Sequence, residues 1–264
     1  MQDLAQINCA ISPCPNDIYL FSGFLLKAIP FLDADNISIL EIRDLNHYTA
    51  KGYYDLAKVS MAQYLKLQET YKILNIGGAF AKSNGPKLVK QRSCSKTFDQ
   101  SIVAIPGGTT TSGLLLQRFF PHLKIIELPF FDIIPALKKG ICHMGLVINE
   151  SKTVLKQHSL CEVLDLAELW YEETSTFLPL GCLVLNKKIT EKSSNIVTYN
   201  IERSLNFARS NRDLVLSLLQ RFSQEKKEQT IWSHIDQFVD QPISNEEKNQ
   251  AIRVLRHFLN KSLF

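Results

Sequence analysis

Residues 7–29 read INCAISPCPNDIYLFSGFLLKAI, and their reading decides the fold. INCAIS is a short apolar run of strand character, and residues 17–29 have the composition of a buried helix. Between them Ser12-Pro13-Cys14-Pro15-Asn16 makes a stiff corner. Proline fixes φ and disfavours helix in the residue before it, so Pro13 and Pro15 hold Ser12 and Cys14 extended. Asn16 or Asp17 can then cap the helix. Such a corner serves either as a plain structural turn or as a place where N–H groups and polar side chains meet an anionic ligand.

The same alternation continues outward. SILEIRDL reads as a strand, HYTAKGY as a short helix, DLAKVS as a strand, AQYLKLQETY as a helix and ILNIGGAF as a strand. Asn84-Gly85-Pro86 is a turn signal, after which KLVKQ leaves the first unit. A second cycle follows: SIVAI, TTSGLLLQRFF, KIIELPF, IIPALKKG and CHMGLVI alternate strand and helix. A polar segment spans 151–158, and PLGCLVLNK reads as a strand that returns to the first unit. Residues 195–209, 212–222 and 245–259 carry apolar residues at helical spacing. Strand–helix alternation of this kind predicts α/β units with a sheet that is parallel at least in part. Two such units joined by strand crossings predict a ligand cleft, with chemistry on the loops after the strands. The expected boundaries are 1–90 with 183–264 for one domain and 91–182 for the other.

Composition narrows the class. The 264 residues are 45% hydrophobic and 21% charged, an ordinary globular balance. Net charge is +4, with lysine and arginine spread along the chain, which favours a small anionic ligand over nucleic acid. The first residues, MQDLAQ, hold an acid and no basic run, so neither a signal peptide nor a membrane span is expected. The six cysteines show no CxxC and no spacing with histidine that suits a metal. They read as reduced thiols in a cytoplasm.

Three further loops carry polar groups at predicted strand ends. In DLAKVSMAQY, Lys58 ends a strand and offers a point charge, while Ser60 precedes a helix. In AIPGGTTTSGLLL, Gly107 and Gly108 allow close backbone approach, and Thr109–Ser112 open a helix. The hydroxyls there suit either an anion or a helix cap. In GLVINES a strand delivers Asn149 and Glu150. Asn149 can orient a substrate but does not titrate usefully, whereas Glu150 can act as a base if burial raises its pKa. WYEET, residues 170–174, reads as an aromatic, carboxylate-rich loop. The histidines, His234 among them, form no constellation by spacing.

Taken in order, SPCPND, KVS, NGP, PGGTTTS, LPFFDIIPALKKG, GLVINE, LWYEET, PLG and HIDQFV resemble the 1,4-dihydroxy-6-naphthoate synthases of menaquinone biosynthesis. The resemblance runs nearly end to end; the related chorismate dehydratases share the fold but lack the PCPND corner. It implies a two-domain fold like type-2 periplasmic binding proteins and a cytoplasmic lyase of the futalosine route. Such enzymes cleave cyclic dehypoxanthine futalosine to 1,4-dihydroxy-6-naphthoate and dihydroxyacetone, with no metal or organic cofactor. It places substrate-binding loops on Lys58, Val59 and Ser60 and on Thr110 and Thr111. The corner with Asn16 would form part of the wall that holds a carboxylated ring substrate. No nucleic-acid or membrane partner is implied.

Two positions depart from the pattern. The family's proton-accepting histidine corresponds to Asn149, and a threonine after PCPND corresponds to Ile18. His143 lies six residues upstream, roughly 20 Å along an extended strand, and does not replace it. Acid–base assistance is worth about 10²–10⁴-fold in rate. Glu150 and Lys58 are the substitute bases the sequence offers. The alternative is a catalytically impaired or repurposed small-molecule-binding protein on the same scaffold.

Overall fold

The computed structural model describes residues 7–148, 152–222 and 226–260. In chain order the first elements are β1 (Cys9–Ile11), α1 (Pro15–Leu25), β2 (Ile37–Ile39), α2 (Ile42–Ala50), β3 (Leu56–Ser60), α3 (Met61–Leu67), β4 (Tyr71–Ile73) and β5 (Ala79–Ala81). They are followed by β6 (Lys87–Gln91), β7 (Ile102–Ile105), α4 (Thr111–Phe119), β8 (Lys124–Glu127), α5 (Ile133–Lys138), β9 (Met144–Val147), α6 (Lys152–Gln157), β10 (Leu160–Asp165) and α7 (Leu166–Thr174). β11 (Leu178–Asn186) returns the chain, and α8 (Glu191–Ser210), α9 (Arg212–Phe222), α10 (Glu228–Phe238) and α11 (Asn245–Asn260) complete it.

The chain packs as two units. The first holds the described residues up to Ala79 together with Gly181–Pro242, and the second holds Phe80–Leu180 with the described residues from Ile243 onward. These boundaries differ from those expected from the sequence. The chain leaves the first unit within β5, before the Asn84-Gly85-Pro86 turn, and α11 packs with the second unit. The reason for the latter is aromatic: the Phe258 ring lies 5.2 Å from that of Phe119 and 5.3 Å from that of Trp170. Arg118 also donates to the Leu259 carbonyl at 2.5 Å.

In the first unit the sheet order is β2-β1-β3-β11-β4. β1 pairs in parallel with β2 and β3, and β11 runs antiparallel to β3 and β4. The core is formed by α1 against α8, α9 and α10, with Ile18, Phe21, Phe24, Ile201 and Ile235 among its buried members. Gly23 lets α8 approach α1, since a Cβ there would come within 2.9 Å of the Ser204 backbone. Ser204 uses that approach, accepting from the Gly23 amide and donating to the Leu20 carbonyl. In the second unit the order is β10-β6-β9-β7-β8, with β7 parallel to β8 and β9, and β6 antiparallel to β9 and β10. Val89, Ala104, Ile133 and Leu137 lie in its core.

Several local readings change. α1 begins at Pro15 rather than Asp17, because a proline at the first helical position loses no needed N–H and presets φ. Its N-cap is therefore Cys14, without a side-chain cap, and Asn16 and Asp17 are released for other partners. The SILEIRDL run splits into a three-residue strand and α2, as its apolar pattern changes from alternation to helical spacing. ILNIGGAF likewise splits into β4 and β5 around Gly77, which has φ +76°. The WYEET stretch is helix, not loop, because Asp165 caps α7 by accepting from the amides of Ala167 and Glu168. Trp170 is consequently core: it is buried and its indole N–H bonds Thr176 and the Phe177 carbonyl.

Candidate functional site

The corner opened by Ser12 is a polar cluster inside the first unit. Asp17, in the first turn of α1, accepts from the Ser12 hydroxyl at 2.5 Å and from the Ser12 amide at 3.3 Å through Oδ2. Its Oδ1 accepts from Asn16 Nδ2 at 3.0 Å and from Lys58 Nζ at 2.6 Å. The two charged side chains are almost dry, at 5% exposure for Lys58 and 1% for Asp17. A buried charge needs a partner and hydrogen bonds to offset its desolvation, and here four donors converge on one carboxylate.

Lys58 reaches this point because β3 alternates. Lys58 and Ser60 share one face, and Val59 faces the opposite way into the core. Opposite β3 stands Gly181, where a Cβ would come within 3.2 Å of Lys58 Cε, so the glycine of the PLG motif leaves room for the lysine stem. Lys58 also donates to the Gly77 carbonyl at 2.9 Å. A side chain on Gly77 would be doubly excluded, by its φ of +76° and by Leu183 Cδ1 at 2.5 Å from the Cβ position. Asp17 thus neutralises the cation that the sequence offered as a lone point charge. One ammonium hydrogen of Lys58 and one amide hydrogen of Asn16 remain without a partner among the described residues.

Ser60 occupies the N-cap position of α3 but does not cap it with its side chain. Asn46, buried on α2, holds it instead: Asn46 Oδ1 accepts from the Ser60 amide and Nδ2 donates to the hydroxyl, both at 2.9 Å. Asn16 and Ser60 therefore belong to the same unit as Lys58, whereas Thr110 and Thr111 belong to the other.

Thr110 is a helix cap. Its hydroxyl accepts from the Gly113 amide at 3.1 Å and donates to the Gly107 carbonyl at 2.7 Å. Gly113 is required there, since a Cβ would stand 2.4 Å from the Gly107 carbonyl oxygen. Glu127 accepts from the Gly108 amide at 3.0 Å, so that N–H of the loop is already used by the protein's own carboxylate. Thr111 donates to the Leu180 carbonyl at 2.9 Å. Asn149 and Glu150 lie outside the described residues.

One residue the sequence reading passed over joins the corner. His234, on α10, contacts Asn16 Oδ1 through Nε2 at 3.2 Å. Burial, aided by the charge of Lys58, lowers its pKa to about 3. The signal was present in IWSHIDQF: His234 falls on the stripe of Ile231, Ile235 and Phe238, where an ionisable residue needs a reason. The thiols nearby are inert. Burial, with Asp17 adding to it, raises Cys14 to about 11, and burial raises Cys182 to about 12. Among the described residues no group of three acidic, histidine or cysteine side chains could hold a metal, and no helix is long and apolar enough to cross a membrane.

Comparison with known proteins accords with this architecture. A solved protein of Archaeoglobus fulgidus superposes with a TM-score of 0.84 at 23% identity, covering 96% of each chain. The periplasmic aliphatic sulphonate binding protein SsuA of Escherichia coli superposes at 0.62 with 15% identity, over 97% of this chain and 94% of that one. The fold is thus the α/β two-unit fold of periplasmic binding proteins, as the sequence led us to expect. In sequence, the 1,4-dihydroxy-6-naphthoate synthase of Thermus thermophilus is 27% identical over 89% of this chain and 86% of its own. That of Streptomyces coelicolor is 25% identical over 88% and 86%. A family model described as menaquinone biosynthesis matches residues 7–262, nearly the whole sequence, and the chain belongs to that family.

Proposed function

We propose that this chain is a carbon–carbon lyase that converts cyclic dehypoxanthine futalosine to 1,4-dihydroxy-6-naphthoate and dihydroxyacetone. The observation that carries the reading is the corner of the first unit, set in a chain of this family. Asp17 and Lys58 are buried as a pair, and Lys58 and Asn16 each retain an unpaired donor among the described residues. A fixed donor pair of this kind suits the carboxylate or hydroxyl oxygens of a ring substrate.

In this reading Lys58 and Asn16 hold substrate oxygens, and Ser60, clamped by Asn46, adds a hydroxyl beside them. Asn149 orients the reacting hydroxyl. Glu150 takes the proton from it as the carbon–carbon bond breaks. His234 is a poor base, because its conjugate acid is destabilised, and it is not assigned the proton transfer.

A second reading is favoured by one observation: asparagine stands at position 149, where the family resemblance places a proton-accepting histidine. On that reading the chain binds the same molecule without turning it over. Purified protein incubated with cyclic dehypoxanthine futalosine distinguishes the two. Release of dihydroxyacetone supports the lyase, binding without release supports the carrier, and the absence of binding overturns both. N149H should raise the rate by about 10²-fold or more if the base is missing.

A further inference from the structure

The inference concerns His234 and deepens the reading just given, on which its ligand arm rests. Asp17 is paired with Lys58 at 2.6 Å and receives the Ser12 hydroxyl at 2.5 Å, so its carboxylate has only lone pairs to offer Asn16. The Asn16 nitrogen must therefore face Asp17, as its 3.0 Å contact with Oδ1 requires. Turning the amide over would set two oxygens against each other beside a buried carboxylate. With the nitrogen fixed, the Asn16 oxygen faces Nε2 of His234, and an oxygen there can only accept. His234 must donate, which leaves Nδ1 bare in the neutral ring.

We propose that His234 is a positioning residue: by donating from Nε2 to Asn16 Oδ1 it locks the amide so that the remaining Nδ2 hydrogen is presented to an acceptor oxygen of the substrate. Two hydrogen bonds run in one direction, from the imidazole through the amide to the carboxylate that Lys58 balances. The imidazole itself is held by packing, with its ring centroid 4.6 Å from that of Phe238. It sits on α10, which packs against α1, so a distant stretch of sequence sets the rotamer of a residue in the opening corner.

Two substitutions separate this role from space-filling. H234F keeps a ring against Phe238 and removes the donor; H234Q keeps a donor and removes the ring. In the ligand-free, isotope-labelled full chain, NMR should find Nε2 protonated and Nδ1 bare in wild type. The Asn16 amide hydrogen donated to Asp17 should be protected from exchange in wild type and in H234Q and lose that protection in H234F. Affinity for cyclic dehypoxanthine futalosine should fall roughly 3- to 10-fold in H234F, the scale of one lost hydrogen bond, and recover to within about twofold in H234Q. An Nδ1-protonated ring, or unchanged amide protection and affinity in H234F, overturns the proposal, as does an H234Q as weak as H234F. If H234F does not fold, the wild-type tautomer decides. If wild type binds no substrate, the proposed function fails, and the ligand-free amide measurement still decides the role of His234.

Discussion

Among the described residues each unit buries a lysine–aspartate pair, and the two pairs serve different ends. In the second unit Lys87 meets Asp165 at 2.8 Å and Glu162 at 2.9 Å, with side-chain exposure of 7% for the lysine and 0% for Asp165. Asp165 also accepts from the Gly85 amide and caps α7 through the amides of Ala167 and Glu168. Its partners are main chain and a lysine shared with a second carboxylate: it ties the Asn84-Gly85-Pro86 turn, β6, β10 and α7 together. In the first unit Asp17 caps nothing. Its partners besides the Ser12 amide are side chains, and two of those, Lys58 and Asn16, keep a donor to spare. The contrast teaches that burial of an ion pair does not by itself mark a site. Each lysine has two partners among the described residues for three ammonium hydrogens, so what distinguishes the corner is the side-chain amide of Asn16, which keeps a hydrogen after the pair is satisfied.

The largest test removes each lysine. K87M strands Asp165 and Glu162, and K58M strands Asp17; breaking a buried pair from one side costs about 3–5 kcal/mol. Chemical denaturation should register a loss of that size for both variants. The comparison predicts a second difference: folded K87M should bind substrate as wild type does, whereas folded K58M should not. Equal affinity loss in the two would erase the distinction between tie and site. For the corner, combining K58M with D17N should cost less than the sum of the single changes, because the second substitution removes the stranded charge.

Acid and alkali should act on different units. His234 carries a folded pKa of about 3 against an ordinary value near 6.5. The unfolded chain therefore takes up its proton first, and the stability tied to a neutral His234 is full above about pH 6.5 and drains as pH falls toward about 3. For a half-buried ring we expect about 2 kcal/mol of this effect, visible as a shallower acid loss in H234F than in wild type. Lys87 shows the opposite sign. Burial lowers its pKa, but hydrogen bonds and charge from Asp165 and Glu162 outweigh that and raise it. Its contribution is present below the ordinary lysine value and is lost as pH rises through the folded one. Denaturation curves of H234F and K87M across pH would check both signs.

The sequence carried the alternation of strands and helices because buried strands and amphipathic helices leave local patterns, and β6, β7, α4, α5, β9 and β11 follow from such runs. It also singled out Lys58, Ser60 and Asn16, since each stands at a strand end or a proline corner. It did not carry the partners. Lys58 pairs with Asp17 across 41 positions, and His234 meets Asn16 across 218. Contacts at that separation depend on how α1 and α10 pack, which no local pattern records. Nor did it separate two hydroxyls with the same local appearance: Ser60 stands at a helix start yet is held by Asn46, and Thr110 caps.

That last difference yields the smallest test. The Thr110 hydroxyl receives the Gly113 amide, one of the donors a helix leaves unsatisfied at its start, and its own hydrogen goes to the Gly107 carbonyl. T110A should cost about 1 kcal/mol of stability, and T110S, which restores the oxygen, should return most of it. S60A has no cap to lose but removes the oxygen that the buried Asn46 amide donates to, so its stability loss should be at least as large, about 1–3 kcal/mol, while its effect on substrate affinity should be larger than that of T110A. The paired measurement is a thermal melt and a binding titration on each variant. If T110A leaves stability intact and weakens binding, its hydroxyl serves the ligand rather than the helix. The threonine loop of the second unit would then match the corner of the first in kind, and the contrast between the units would narrow to their ion pairs.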